Sequence, residues 1–414
     1  MEKNLVNVAA IPVRGVYEAL VHQAFSGMKR GQLRMTLPSG AVVVYGSGAQ
    51  GPLAAIKVNR EEFFRKCVLY GDIGFGEAYV DGDWDSDDIV AVISWFIANI
   101  DSAPTLSGGR NLLWGNLLRF VNRLGHQLRR NTLVGARRNI KAHYDLSNEL
   151  FELFLDPSMT YSCARFEGSI TELEAAQKCK YETMCRKLKL RPEHHLLEIG
   201  CGWGGFAIYA AGNYGCQITA ITISEQQYEY AVRRVQEAGL DSRVRILLCD
   251  YREVKGEFDR IVSIEMLEAV GHKYLSSFFR KCHELLKKDG ILGLQVIICP
   301  DSRYKSLRRG VDWIQKHIFP GSLLPSIAAI NKAINDTGDM YLHGLEEMGL
   351  HYAKTLATWR DNFNANLPDI YSLGFNEKFV RKWNYYFSYC EAAFRMRNIN
   401  VVQMIYSRPN NLGI

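Results

Sequence analysis

The stretch Glu198-Ile199-Gly200-Cys201-Gly202-Trp203-Gly204-Gly205 restricts the possible folds of this chain more than any other. It closes a short apolar run, 195–200, and opens a helical pattern. Four more buried-type runs follow, at 216–224, 244–250, 259–266 and 291–299. Amphipathic stretches such as 225–240 and 274–288 lie between them. Alternating strands and helices predict a mostly parallel sheet covered on both faces. Ligands of such sheets bind outside the carboxyl ends of the strands. Glycines at that place let the backbone turn sharply and come into contact with a ligand. The spacing G-x-G-x-G differs from the G-x-G-x-x-G that cradles a pyrophosphate, and no phosphate-binding Lys-Ser/Thr follows. Glu198, just before the loop, repels a phosphate and suits a cation. S-adenosylmethionine, with its sulfonium and amino group, matches that demand. Asp250, ending the third run, offers an acceptor for an adenine amino group.

The rest of the 414 residues exceeds one ordinary core, so two or three domains are expected. Hydrophobic residues at 47% and charged residues at 23% exclude a disordered chain, a fibre and a polytopic membrane protein. No run reaches the roughly 18 uncharged apolar residues of a bilayer span. The first twenty residues break their apolar runs with charge too early for a signal peptide. Ten cysteines, with no C-x-x-C pair, read as reduced thiols of a cytoplasmic protein and indicate no metal site. Residues 31–58 alternate strand-like runs with Gly and Pro, and 61–70 read as a helix. The Gly- and Asp-rich stretch 71–88 reads as a structured turn region. A first α+β domain over 1–105 is the natural division, followed by a second over 141–414.

Between them lies a block with no acid from Ser102 to Tyr144 but with Arg110, Arg119, Arg123, Arg129, Arg130, Arg137, Arg138 and Lys141. Leu113, Trp114, Leu117, Phe120, Val121 and Leu124 are interleaved at spacings of three and four. The net charge is only +6, so the clustering is the informative part. Residues 106–140 thus predict a basic amphipathic helix, suited either to a polyanion such as nucleic acid or to an anionic lipid surface. A linker helix with its arginines in solvent fits the same pattern.

Several long blocks resemble the cyclopropane-fatty-acyl-phospholipid synthases and the related mycolic acid methyltransferases. They are 71–85, 143–166, 196–207, 264–271, 318–326 and 385–395, so the resemblance covers nearly the whole chain. It implies a Rossmann-like class I methyltransferase fold with a seven-stranded sheet. It implies transfer of a one-carbon unit from S-adenosylmethionine to the cis double bond of a phospholipid acyl chain, forming a cyclopropane. It also implies a homodimer and a membrane-facing N-terminal part and basic helix, which favours peripheral lipid association over nucleic acid. An acyl-chain-binding insertion is expected near 300–336. A soluble small-molecule methyltransferase and a catalytically silent lipid-surface protein are the competing readings.

By resemblance, Tyr161 and Ser162 contact the cofactor. Gly200, Gly202 and Gly204 form its loop, Thr222 and Gln227 lie along its ribose and adenine, and Asp250 and Tyr251 match the adenine end. Methyl transfer to an alkene leaves a carbocation, which aromatic faces stabilise and water would quench. Tyr161, Phe166, Trp313, Phe319 and Tyr352 are candidates to line that pocket. In the resembled family a bound bicarbonate then removes the proton. Its cradle here comprises Cys163, Glu268, Ile297 and Tyr352, with Gln295 where the family carries a histidine. Glutamine donates to an anion but cannot carry charge. This departure bears on ring closure: loss of a different proton gives a methylene- or methyl-branched chain. Cys390 matches a cysteine sometimes regarded as the family's nucleophile, although the chemistry here needs no covalent enzyme intermediate.

Overall fold

The computed structural model describes residues 15–101 and 147–414. The basic segment 106–140 therefore lies outside the described residues. Within them the chain forms two compact units. One comprises 15–101, 310–318 and 368–398; the other comprises 147–309, 319–367 and 399–414.

In the first unit, four strands, β1 (Gln32–Thr36), β2 (Val42–Gly46), β3 (Leu53–Val58) and β4 (Trp84–Asp85), form a sheet ordered β2-β1-β3-β4. Strand β3 alternates exposed and buried side chains along its length, the period-two pattern of a sheet with one wet face. The stretch 71–88, expected as turns, is instead mostly helix: Glu62–Val80 continues through it, kinked where Gly71 takes φ 59°. Its glycines serve close packing rather than turning. A Cβ on Gly76 would fall 2.5 Å from the Trp313 ring and 2.7 Å from Tyr385.

Helix Glu377–Arg395 also belongs to this unit. Its Arg381 pairs with Asp85 at 2.7 Å and its Lys378 with Asp81 at 2.8 Å. The Tyr385 ring meets Trp313 at 4.7 Å between centroids. The units are thus discontinuous in sequence, unlike the contiguous 1–105 and 141–414 expected. An amphipathic helix folds where its apolar face is buried, whatever its place in the chain.

The second unit carries seven strands: β5 (His195–Ile199), β6 (Gln217–Thr222), β7 (Val244–Leu248), β8 (Phe258–Ile264), β9 (Leu286–Ile298), β10 (Tyr341–Glu347) and β11 (Asn400–Ser407). Their order is β10-β11-β9-β8-β5-β6-β7. Neighbours from β7 to β9 run parallel, and β11 is antiparallel to both β9 and β10. One face is covered by helices Leu275–Leu285 and Ile327–Asn335, the other by Leu173–Lys187, Gly205–Tyr214 and Glu225–Glu237. The central strands β5, β8 and β9 are covered on both faces, which is why they read as continuous apolar runs. Strand order reverses at β5, flanked by β6 and β8, so the glycine loop that follows β5 sits at the switch point of the sheet.

Candidate functional site

Two neighbouring groups of residues gather at the carboxyl ends of these strands. The first is built on the glycine loop. Gly200, Gly202 and Gly204 take φ of 86°, 53° and 83°, the left-handed region that glycine alone adopts freely. The Gly200 and Cys201 amides donate to the Ile221 carbonyl at 3.0 and 2.9 Å, which ties the loop to β6. A Cβ at Gly202 would meet nothing within 4 Å, so the loop faces open space there. Behind it, Glu198 is 2% exposed and its Oε2 has no hydrogen-bond partner among the described residues. Burial pushes its carboxyl up to about 8, against the pull of Lys180 and the Ala207 amide.

At the end of β6, Thr222 donates to Gln227 Oε1 at 2.9 Å, and both side chains are buried. At the end of β7, Asp250 accepts from Arg252 Nε and Nη2, each at 2.7 Å, and from the Arg252 amide at 3.0 Å. A carboxylate has about four acceptor sites, so one remains on Oδ2 for a ligand. Tyr251 packs edge-on against Phe278.

The second group surrounds the segment Tyr161-Ser162-Cys163. The Tyr161 ring packs against Phe151, Phe154, Phe319 and Trp359, and Trp359 in turn meets Tyr352 edge-on. Ser162 Oγ accepts from Lys180 Nζ at 2.8 Å. Lys180 is fully buried, and desolvation lowers its ammonium to about 8. The Cys163 amide donates to Glu265 Oε1 at 2.8 Å. Gln295 Nε2 donates to the same oxygen at 2.8 Å, and Tyr352 Oη donates to Glu265 Oε2 at 2.6 Å. Burial raises the Glu265 carboxyl, while these donors and Lys180 oppose it. Three residues on, Glu268 Oε1 accepts from the Ile297 amide at 2.6 Å. Burial, then the charge of Glu265, raises Glu268 to about 8.

The structure thus brings Cys163, Glu268, Gln295, Ile297 and Tyr352 together around Glu265, a residue the sequence reading passed over. The one signal was the glutamine at 295, whose new partner it is. The Cys163 thiol is fully buried, which raises it well above its ordinary value and leaves a neutral side chain. Among the aromatic candidates, Tyr161, Phe319 and Tyr352 share the cluster. Phe166 instead lies under the Lys354 ammonium at 4.2 Å, and Trp313 belongs to the first unit. Cys390 also belongs to the first unit, and burial raises its thiol.

The expected bicarbonate does not fit the residues present. The cradle's donors on Cys163, Gln295, Ile297 and Tyr352 already serve Glu265 or Glu268. A further anion would have to displace the Glu265 carboxylate from these donors before they could hold it.

Residues 132–404 match the family model described as mycolic acid cyclopropane synthetase. The chain is 37% identical over 366 residues to the tuberculostearic acid methyltransferase UfaA1 of Mycobacterium tuberculosis, covering 86% of this chain and 84% of that one. It is also 37% identical over 368 residues to the cyclopropane-fatty-acyl-phospholipid synthase of Escherichia coli K12, covering 87% and 90%. Among solved structures, the mycolic acid cyclopropane synthase CmaA1 complexed with SAH and CTAB superposes with a TM-score of 0.61. That match has 32% identity and covers 66% of this chain and 98% of the other. The second unit has the mostly parallel sheet that the alternating runs predicted and the class I methyltransferase fold that the resemblance implied.

Proposed function

Because this chain belongs to the mycolic acid cyclopropane synthetase family, we propose that it methylates the double bond of an unsaturated phospholipid acyl chain. S-adenosylmethionine is the donor, and when bound it supplies an electrophilic methyl group. The residues at the switch point fit it. The unpartnered Glu198 Oε2 can take the amino group, the open left-handed loop admits the body of the ligand, and Asp250 keeps one acceptor site for the adenine end.

The observation that carries the reading is the join between ring cluster and carboxylate. Three consecutive residues link them: Tyr161 in the aromatic cluster, Ser162 on Lys180, and Cys163 on Glu265. An alkene is a weak nucleophile and must be held in place without water, and the cation it becomes is steadied by ring faces. Trp359, fully buried, and Tyr352, 6% exposed, supply such a surface within hydrogen-bond reach of a carboxylate. A soluble acceptor would need no such apolar lining.

Among the described residues no helix is long and apolar enough to cross a membrane. In this reading the acyl chain is reached from the bilayer surface, and the acid-free, arginine-rich sequence of 106–140 supports it. Mass spectrometry of phospholipids from a host without its own synthase tests the reading. Expression should add one CH2 per unsaturated chain, and fragmentation then separates ring from methylene or methyl branch. Unchanged acyl chains with normal S-adenosylmethionine binding would point to a soluble acceptor.

A further inference from the structure

Building on that reading, we propose that the carboxylate of Glu265 is the base of this site and makes turnover independent of bicarbonate. The geometry carries the assignment. Glu265 follows the last residue of β8, and its amide donates to the Gln295 carbonyl at 2.7 Å, so its backbone is fixed against β9. Its side chain accepts from the Cys163 amide, Gln295 Nε2 and Tyr352 Oη, three donors from three separate elements. They are the groups that the resemblance assigns to a free anion.

The orientation of Gln295 is itself determined. Gln403 lies opposite it across the β9–β11 pair and donates from Nε2 to Gln295 Oε1 at 3.0 Å. Gln403 Oε1 in turn accepts from Lys187 at 2.7 Å. The amide of Gln295 must therefore present its NH2 to Glu265. A glutamine here is matched to a protein carboxylate, with one end accepting from Gln403 and the other donating to Glu265.

Glu265 also holds a left-handed backbone, φ 51°, where glycine would be least strained. A charged side chain kept at such a position is an outlier of the kind that clusters at active sites. Its two oxygens accept three of the about four bonds a carboxylate can take, so one acceptor site on Oε2 is left for a proton.

The step balances without a co-reactant. Methyl transfer leaves a positive charge on the acyl chain. A C–H bond of the new methyl group breaks and its proton passes to a Glu265 oxygen. The freed electron pair closes the third C–C bond of a ring or, where a 1,2-hydride shift has first moved the charge to the methylated carbon, the π bond of a methylene. The proton then leaves to water.

The test uses full-length enzyme, S-adenosylmethionine and vesicles of a dioleoyl phosphatidylglycerol, in buffer stripped of carbon dioxide or supplied with bicarbonate. The wild type should turn over equally in both. Glu265→Gln should lose about 10²–10⁴ in rate with unchanged S-adenosylmethionine affinity. Glu265→Gly, which relieves the backbone, should be equally slow and recover at least tenfold with added bicarbonate or formate. A wild type that stops when bicarbonate is removed, or a Glu265→Gln enzyme near wild-type rate, overturns the assignment alone. A wild type that methylates no vesicle acyl chain under either condition overturns the proposed function and the assignment with it.

Discussion

The two groups of residues at the strand ends lie in one unit, yet they are finished differently. The glycine loop is incomplete as a set of hydrogen bonds: among the described residues Glu198 keeps a buried oxygen without a partner, and Gly202 faces open space. The carboxylate group has its donors spent on Glu265 and Glu268, although Glu268 Oε2 is likewise buried without a partner among the described residues. A buried acceptor left unpaired costs about 1–3 kcal/mol, and beside the open loop its persistence at Glu198 marks where a ligand completes the structure. A buried carboxylate met by three donors marks where the protein supplies the group itself. The contrast between an open and a filled cradle can be broken from either side.

The largest effect is expected from Gly202→Val. The space in front of the loop would receive the branched side chain, and S-adenosylmethionine affinity should fall by more than about 100-fold, near 3 kcal/mol. The left-handed backbone adds about 1–2 kcal/mol of strain, which a folded domain tolerates. Calorimetric titration beside a melting curve separates the two effects; normal affinity would mean the loop is not the cradle. Glu198→Gln comes next. It keeps the shape and removes the carboxyl that a bound ammonium group would ionise, so affinity should drop about 10–100-fold, the worth of a hydrogen bond to a charged group. If Glu198 is merely a buried structural acid, the variant will bind as well as the wild type and melt higher.

Gln295→His probes the filled cradle. The Gln295 amide donates to both Glu265 and the Cys163 carbonyl while accepting from Gln403, and an imidazole with one N–H cannot make all three bonds, so turnover should fall about tenfold with unchanged cofactor affinity. Combined with Glu265→Gly it should do better than Glu265→Gly alone in bicarbonate, because glycine and histidine together rebuild a cradle for a free anion. Rates that merely multiply would show that 265 and 295 act separately.

What the sequence made legible follows from range. The five parallel strands, the switch-point loop and its ligand side were readable because short apolar runs and ordered glycines are local signals. Membership of Tyr161, Cys163, Glu268, Ile297 and Tyr352 in one site was legible only through resemblance, since their elements meet through the sheet. Glu265 was missed although it stands three residues before Glu268. Which of two nearby acids points into a site depends on backbone angles, and φ 51° at a glutamate leaves no trace in composition. The helix through Gly74 and Gly76 was missed for a related reason. Glycine signals a turn and a close approach alike, and only the rings of Trp313 and Tyr385 decide between them.

The smallest effect, and the finest test of the contrast, is Glu268→Gln. A Glu268 that gripped an anion would make this substitution crippling, but Glu268 accepts from the Ile297 amide and is raised to about 8. At pH 7 it is a neutral acid, which glutamine copies in shape while keeping the acceptor toward Ile297. Turnover should stay within roughly threefold, under about 0.7 kcal/mol of barrier. Stability then reports the proton. The folded chain holds it on Glu268 to about pH 8, whereas the unfolded chain releases it near the ordinary 4.5. In that window the folded state binds more protons, so the wild type loses stability as pH rises. Glutamine has no proton to lose, and the fall in melting temperature from pH 5 to pH 9 should be shallower in the variant. Some slope must remain, because Glu198 is raised to about 8 by its own burial and titrates in the same direction. Equal slopes in the two proteins would place the proton elsewhere in the Glu265–Glu268 pair and leave Glu268 ionised beside the base.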